Sequence, residues 1–159
     1  MIAAMALARL ASLGEILEAM SRENVEIVRR YFDALNRGGS IALDAVRAFC
    51  DSGVEFHEFS ADEGDQVYSG QEEVWRHLEE KYLEEFAEPP KEYRFDVEQL
   101  FDAEDEVVAV FYERHHGWVS GADIAMQVGW VFKFRHGKIV QVSVYEDRED
   151  ALKSVGLLR

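Results

Sequence analysis

Three apolar runs separated by glycine-containing turns dominate the C-terminal half of the chain. Residues 107–115, 124–134 and 139–145 are rich in β-branched and aromatic side chains, which favour strands. The pair His136-Gly137, between the second and third runs, is typical of a tight hairpin turn. The pattern therefore predicts a three-stranded antiparallel meander.

Alternation along these predicted strands separates their side chains into two faces, because successive residues of a strand point to opposite sides of a sheet. Phe111, Glu113 and His115 share one face of the first strand. The matching rows of the other two strands are Met126, Val128, Trp130, Phe132 and Phe134, and then Val142, Val144 and Glu146. A carboxylate on an apolar face needs a polar partner or a function, so we expect this face to line a pocket as well as a core.

Four helices and two further strands are predicted around the meander. Apolar residues recur at helical spacing in 24–37, 41–50, 69–86 and 148–154, and they alternate in 54–59 and 93–101. Residues 60–69 are polar and rich in Asp and Gly, which predicts a loop. The short strand before that loop is ambiguous, because one face carries Glu55 and His57 while the other carries Glu58. One of these faces must bury a polar residue.

Length, composition and charge limit both the architecture and the partners. With 159 residues, 48% of them hydrophobic, the chain fits one domain, which we place at 21–159 after a helical or disordered N-terminal extension, 1–20. The net charge of −15 argues against nucleic acid or an anionic membrane surface as a partner, since both would repel the chain. The one cysteine, Cys50, has no intrachain disulfide partner, and neither a signal peptide nor a membrane span stands out. We expect a cytoplasmic protein.

Four segments carry a resemblance to a known family: IVRRYFDALNRG, YSGQEEV, FKFRHGKIVQVSVYED and the terminal ALKSVGL. Over about residues 21–158 the chain resembles the nuclear transport factor two-like superfamily, in its SnoaL-like and ketosteroid isomerase-like branch. The resemblance implies an α+β fold: a cone-shaped, curved antiparallel sheet wrapped around N-terminal helices as a cystatin-like α+β roll or barrel. It also implies an apolar pocket inside the cone.

The same resemblance implies positions for catalytic groups. Ketosteroid isomerase sets an aspartate base against an oxyanion hole made of a tyrosine and a neutral aspartate. The tyrosine falls on Tyr31, the base on or next to His57, and the neutral aspartate on Trp130. We therefore predict His57 as general base and Tyr31 as donor to a substrate oxygen. Glu113, His115 and Glu146 would tune the base. The alternatives are structural: a histidine bonded to a neighbouring carboxylate, a core tyrosine, and a salt link between Glu113 and His115.

Eight side chains are predicted to line the ligand pocket. They are Trp75, Phe111, Trp118, Met126, Val128, Trp130, Val144 and Glu146. Two histidines and a glutamate in one cavity would suit zinc or iron as ligand types, but no recognised ligand spacing supports a metal site and none is predicted. The sequence also has no GxGxxG, Walker or CxxC motif, so no cofactor is predicted.

These observations lead to two hypotheses about function. The first is a small-molecule pocket protein that acts as an isomerase, cyclase or dehydratase, using side-chain acid–base chemistry on an apolar carbonyl or hydroxy compound. The second is a non-catalytic ligand-binding or dimeric assembly module. In both, we expect a homodimer formed through the outer sheet face, because Val110, Tyr112, Val131 and Tyr145 would otherwise leave an apolar patch in water.

Overall fold

The computed structural model describes residues 2–60, 64–82, 93–116 and 123–158. In chain order the elements are α1 (Ile2–Arg37), α2 (Gly39–Phe49), β1 (Cys50–Ser60), β2 (Gly64–Ser69), α3 (Gln71–Lys81), β3 (Arg94–Ala103), β4 (Glu106–His116), β5 (Asp123–Arg135), β6 (Lys138–Tyr145) and α4 (Arg148–Ser154). The predicted α+β class is confirmed, and so is the meander, which is formed by β4, β5 and β6. Its hairpin turn places His136 at φ 52° and Gly137 at φ 74°, the left-handed backbone that a two-residue turn requires.

The six strands form one curved, open sheet in the order β2-β1-β6-β5-β4-β3. Neighbouring strands are antiparallel except β1 and β6, which pair in parallel, so the sheet is mixed. The prediction of a barrel is wrong in one respect, because β2 and β3 remain free edges and the sheet does not close. The predicted loop at 60–69 is also wrong over its second part, since Gly64–Ser69 pairs with β1 as an edge strand.

Aromatic side chains fill the concave inner face of the sheet. Trp130, at the centre of β5, is fully buried. Six rings surround it with centroid distances of 5.2 to 6.3 Å, from Phe32, Phe56, Tyr82, Phe95, Phe111 and Phe132. The α1 helix supplies Phe32 and α3 is followed by Tyr82, so both helices pack into the concave side. Burial of this many aromatic rings provides most of the driving force for folding around the cone.

The outer face of the sheet is partly covered by α4. Ala151 and Leu152 pack against Val108, Val110 and Val131, which are all buried. The close approach depends on Gly129, because a Cβ there would lie 2.5 Å from the Cβ of Ala151. We predicted a dimer because Val110, Tyr112, Val131 and Tyr145 would leave an apolar patch in water. That reason is wrong for Val110 and Val131, which α4 covers.

The α1 helix runs without a break through the predicted domain boundary at residue 20. Contacts with the body of the domain begin at Ser21, whose Oγ donates to the carbonyl oxygen of Glu104 at 3.2 Å, and continue at the buried Asn24. Upstream of Ser21, every side chain from Ser12 to Met20 is exposed. None of the helices in the described ranges is long and apolar enough to cross a membrane.

Candidate active site

His57 lies on the outer face of the sheet, so its predicted position inside the cone is wrong. Val54 and Phe56 of β1 are fully buried in the inner core, and alternation puts His57 on the opposite side. There its Nε2 lies 3.3 Å from Glu55 Oε2 and its ring lies near that of Phe59. The structure therefore separates His57 from Tyr31 by the thickness of the sheet.

Glu58 takes the inner position that was predicted for His57. Its Oε1 lies 2.7 Å from His77 Nε2 and 3.0 Å from Lys81 Nζ, both on α3. Burial by itself would raise the pKa of Glu58, but the hydrogen bonds from His77 and Lys81 outweigh it and hold the pKa below its ordinary value. The ring of Tyr68 stacks on His77 at a centroid distance of 3.9 Å, which fixes the imidazole on this carboxylate. Glu58 is thus a desolvated but firmly ionised group.

Glu113, on the inner face of β4, is a second carboxyl group in the same region with the opposite behaviour. Burial is the main cause that raises its pKa, to a value of about 6, and the negative charge of Glu58 acts in the same direction. The charge of Lys81 and a hydrogen bond with Tyr82 act against this rise. A pKa near neutrality lets one carboxyl group both accept and donate a proton under physiological conditions.

Aromatic side chains and one thioether surround Glu113. His115, two residues along β4, stacks its ring on Tyr93 at 4.9 Å. Met126 on β5 pairs directly with Glu113 and is 46% exposed, which places it at the open rim of the cone. Burial, followed by the charge of Glu113, raises the pKa of Tyr93, so both phenols beside the carboxyl group, Tyr82 and Tyr93, remain protonated at neutral pH.

Two aromatic hydrogen-bond donors lie deeper in the cone. Tyr31 Oη and Trp130 Nε1 are buried and have no hydrogen-bond partner in the part of the chain that the structure describes. Burial, and then the neighbouring Cys50, raises the pKa of Tyr31 well above its ordinary value, so its hydroxyl stays a donor. A buried donor without an acceptor is costly, and a ligand oxygen or a water molecule would relieve that cost.

The remaining predicted lining residues divide into three groups. Phe111, Val128 and Val144 are buried on the inner face and belong to the core. Trp75 packs against the core from α3 and borders a cleft of about 330 Å³ between α2 and α3. Glu146 was wrongly placed, because it is exposed beyond the end of β6. Trp118 lies outside the described residues.

The fold agrees with comparisons to known proteins. The family model of the SnoaL-like domain matches residues 28–142. The chain belongs to the SnoaL-like family. A search of curated proteins finds no match for it.

Solved structures similar to this SnoaL-like domain share its fold at low sequence identity. A protein from a soil-derived mobile gene cassette has a TM-score of 0.65 at 15% identity, covering 79% of this chain and 90% of its own. A candidate SnoaL-like polyketide cyclase from a Jannaschia species scores 0.62 at 18% identity, covering 78% and 85%. A protein of ketosteroid isomerase-like fold from Catenulispora acidiphila, in complex with trimethylamine, scores 0.58 at 16% identity, covering 83% and 93%.

Sequence reasoning missed four polar members of the SnoaL-like domain's inner cluster: Glu58, His77, Lys81 and Tyr82. Two signals could have found them. Val54 and Phe56, which alternate with polar residues, identify the inner face of β1, and Glu58 is the next residue on that face. On α3, positions 74, 78 and 82 form the buried stripe, and 77 and 81 flank it on the same helical face.

The donor types in this cluster do not make an evident metal site. Among the described residues, no group of three His, Cys, Asp or Glu side chains is arranged to hold a metal ion. Glu58 is already bonded to Lys81, whose positive charge would compete with a cation. What the cluster provides is a pair of nearby carboxyl groups whose pKa values are displaced in opposite directions, a pattern that separates an ionised group from a proton-exchanging one.

Proposed function

We propose that this SnoaL-like domain is an enzyme that transfers a proton within a small apolar carbonyl or hydroxy compound, as an isomerase, cyclase or dehydratase does. The observation that carries the proposal is the position of Glu113, whose carboxyl group lies among aromatic rings on the inner face of the sheet, bonds to Tyr82 and has its pKa raised to about 6 chiefly by burial. In its ionised form Glu113 would remove a proton from carbon beside the substrate carbonyl. The electron pair would move onto the carbonyl oxygen, and the protonated carboxyl group would then return the proton to another atom of the substrate.

Other side chains of the cone support such a step. Tyr82 bonds to Glu113, and its ring packs against that of Trp130 at a centroid distance of 5.9 Å. Trp130 Nε1, and Tyr31 Oη deeper in the cone, are buried donors without a partner among the described residues, and a substrate oxygen that reached them would be bound. Glu58 and Lys81 would act on Glu113 through their charges, in opposite directions, while His77 would hold the Glu58 carboxylate in place.

The test is turnover of a panel of cyclic and linear carbonyl and hydroxy compounds, followed over pH 4 to 9. We expect kcat/KM to rise with pH through about 6, where Glu113 ionises. Glu113→Gln should lower kcat/KM by a factor of about 100 or more, whereas Glu55→Gln, on the outer face, should leave it unchanged. Equal activity of both variants and the wild type would exclude Glu113 as the base.

A second candidate function is a non-catalytic ligand-binding or assembly module. The rings packed around Trp130 favour the assembly form of this candidate, because they occupy the space where a deep ligand or substrate cavity would lie. Native mass spectrometry of the purified protein separates the two candidates. A co-purifying apolar ligand without turnover of any compound in the panel would favour the binding module.

A further inference from the structure

The exposed N-terminal part of α1 carries an apolar stripe without a partner in the described structure. Leu13, Ile16, Leu17 and Met20 recur at the i, i+3, i+4, i+7 spacing of one helix face. They are 55%, 52%, 62% and 45% exposed. A solvated helix of this kind is marginally stable by itself, since most helical stability in proteins comes from packing an apolar face.

The residues around this stripe fit close contact with another helix. At about 100° per residue, Ser12 and Ala19 flank the stripe on one side and Gly14 on the other, so the flanks are small. Gly14 costs an exposed helix about 1 kcal/mol relative to alanine. A Cβ added at Gly14 would have no atom of the described structure within 4 Å. Contacts within the described part of the chain therefore do not explain why a glycine occupies this position.

Charge selects the kind of partner. Residues 1–20 contain one arginine and two glutamates, a net charge of −1, which leaves −14 of the total −15 on residues 21–159. Glu15 and Glu18 fall on the helix face opposite the stripe. An anionic surface would be repelled by the body of the domain, whereas two copies of the chain repel each other least when they meet along this nearly neutral segment.

We propose that two copies of this chain associate through the stripe formed by Leu13, Ile16, Leu17 and Met20, with their α1 helices antiparallel about a two-fold axis. That arrangement is self-complementary, because Leu13 of one helix meets Met20 of the other and Ile16 meets Leu17. In this register residues 9–16 of each helix lie beside residues 17–24 of the other.

A cleft at the base of each helix continues the same surface. It has a volume of about 680 Å³ and lies between α1 and the β3–β4 and β5–β6 turns, with Leu17, Met20 and Phe134 among its apolar lining. Two of these residues also belong to the stripe. In the antiparallel register this cleft faces residues 9–16 of the second helix, so the contact has an apolar seat at each end, whereas a parallel pair would place the two acidic domain bodies side by side.

Sedimentation equilibrium of the full chain at micromolar concentration tests the association. We expect a mass of about 36 kDa, twice 18.2 kDa, for the wild type. Leu17→Glu should halve it, while Glu15→Gln, on the opposite face, and Val67→Glu, on the exposed outer face of β2, should not. A monomeric wild type would overturn the proposal. Dissociation by Val67→Glu but not by Leu17→Glu would overturn it in favour of the outer sheet face.

Disulfide trapping tests the orientation. Cys50 is buried, so a cysteine introduced on the stripe is the reactive thiol. Under oxidation we expect a mixture of Leu13→Cys and Met20→Cys chains to form a cross-linked heterodimer, and each variant alone to remain uncross-linked. Cross-linking of Leu13→Cys with itself would show a parallel pair and overturn the antiparallel arrangement. Flotation of the wild type with phosphatidylcholine vesicles would show that the stripe binds lipid instead.

Discussion

Each face of β1 holds a glutamate–histidine pair, in different surroundings, with the inner histidine supplied by α3. On the inner face, Glu58 and His77 approach to 2.7 Å, and each side chain is 12% exposed. On the outer face, Glu55 and His57 lie 3.3 Å apart with exposures of 42% and 22%. The inner pair is bonded to Lys81 and interacts with Glu113, whereas the outer pair lies near solvent. The difference shows that desolvation, more than residue type, separates a candidate catalytic cluster from a surface contact.

Of the changes that we consider, removing the histidine of each pair should give the largest difference in stability between the inner and outer faces. His77→Ala deletes a hydrogen bond to a buried carboxylate and the stack on Tyr68, which together should lower the free energy of unfolding by roughly 2–4 kcal/mol. His57→Ala should change it by less than about 0.5 kcal/mol. Urea denaturation at pH 7 measures both, and His77→Phe, which keeps a ring for Tyr68, isolates the lost hydrogen bond. Equal losses at the two positions would mean that burial does not distinguish the pairs.

Neutralising Glu113 should raise the free energy of unfolding at high pH, whereas removing His77 should lower it. Its folded-state pKa of about 6 lies above the ordinary 4.5, so its contribution to stability is full below pH 4.5 and is lost as pH rises through 6. Glu113→Gln should therefore leave stability unchanged at pH 4 and raise it at pH 8 by up to about 2 kcal/mol. Thermal or urea unfolding at the two pH values gives the comparison, with Glu55→Gln as the control. A uniform loss of stability would show that the glutamate is held by contacts that glutamine cannot replace.

Local pattern was sufficient for much of the fold. The β-branched runs located β4, β5 and β6, and His136-Gly137 located the hairpin, because both depend on residues close together in sequence. The edge strand β2 was missed because Gly64–Ser69 is polar and becomes a strand only by pairing with β1. Propensity cannot predict a strand that depends on its neighbour.

The candidate site was harder to predict than the fold. Glu113 and His115 were correctly placed on the inner face, since alternation within one strand decides that. The choice between His57 and Glu58 depends on α3, which brings His77 and Lys81 to the inner face from 19 and 23 residues away. Adjacent positions with similar polarity give no local signal for such a choice.

The smallest expected effect tests whether the inner carboxyl groups sense each other. Because the charge of Glu58 raises the pKa of Glu113 and the charge of Lys81 lowers it, Glu58→Gln should move that pKa down and Lys81→Met should move it up. Each coupling should be on the order of 0.5–1 kcal/mol. Titration of the Glu113 side-chain carboxyl carbon by NMR measures both, with Glu55→Gln as the matched control. A shift of the Glu113 pKa in the same direction for both variants would point to rearrangement of α3. No shift in either variant would show that solvent screens Glu113 from its neighbours. That result would remove the electrostatic basis for treating the inner cluster as one site.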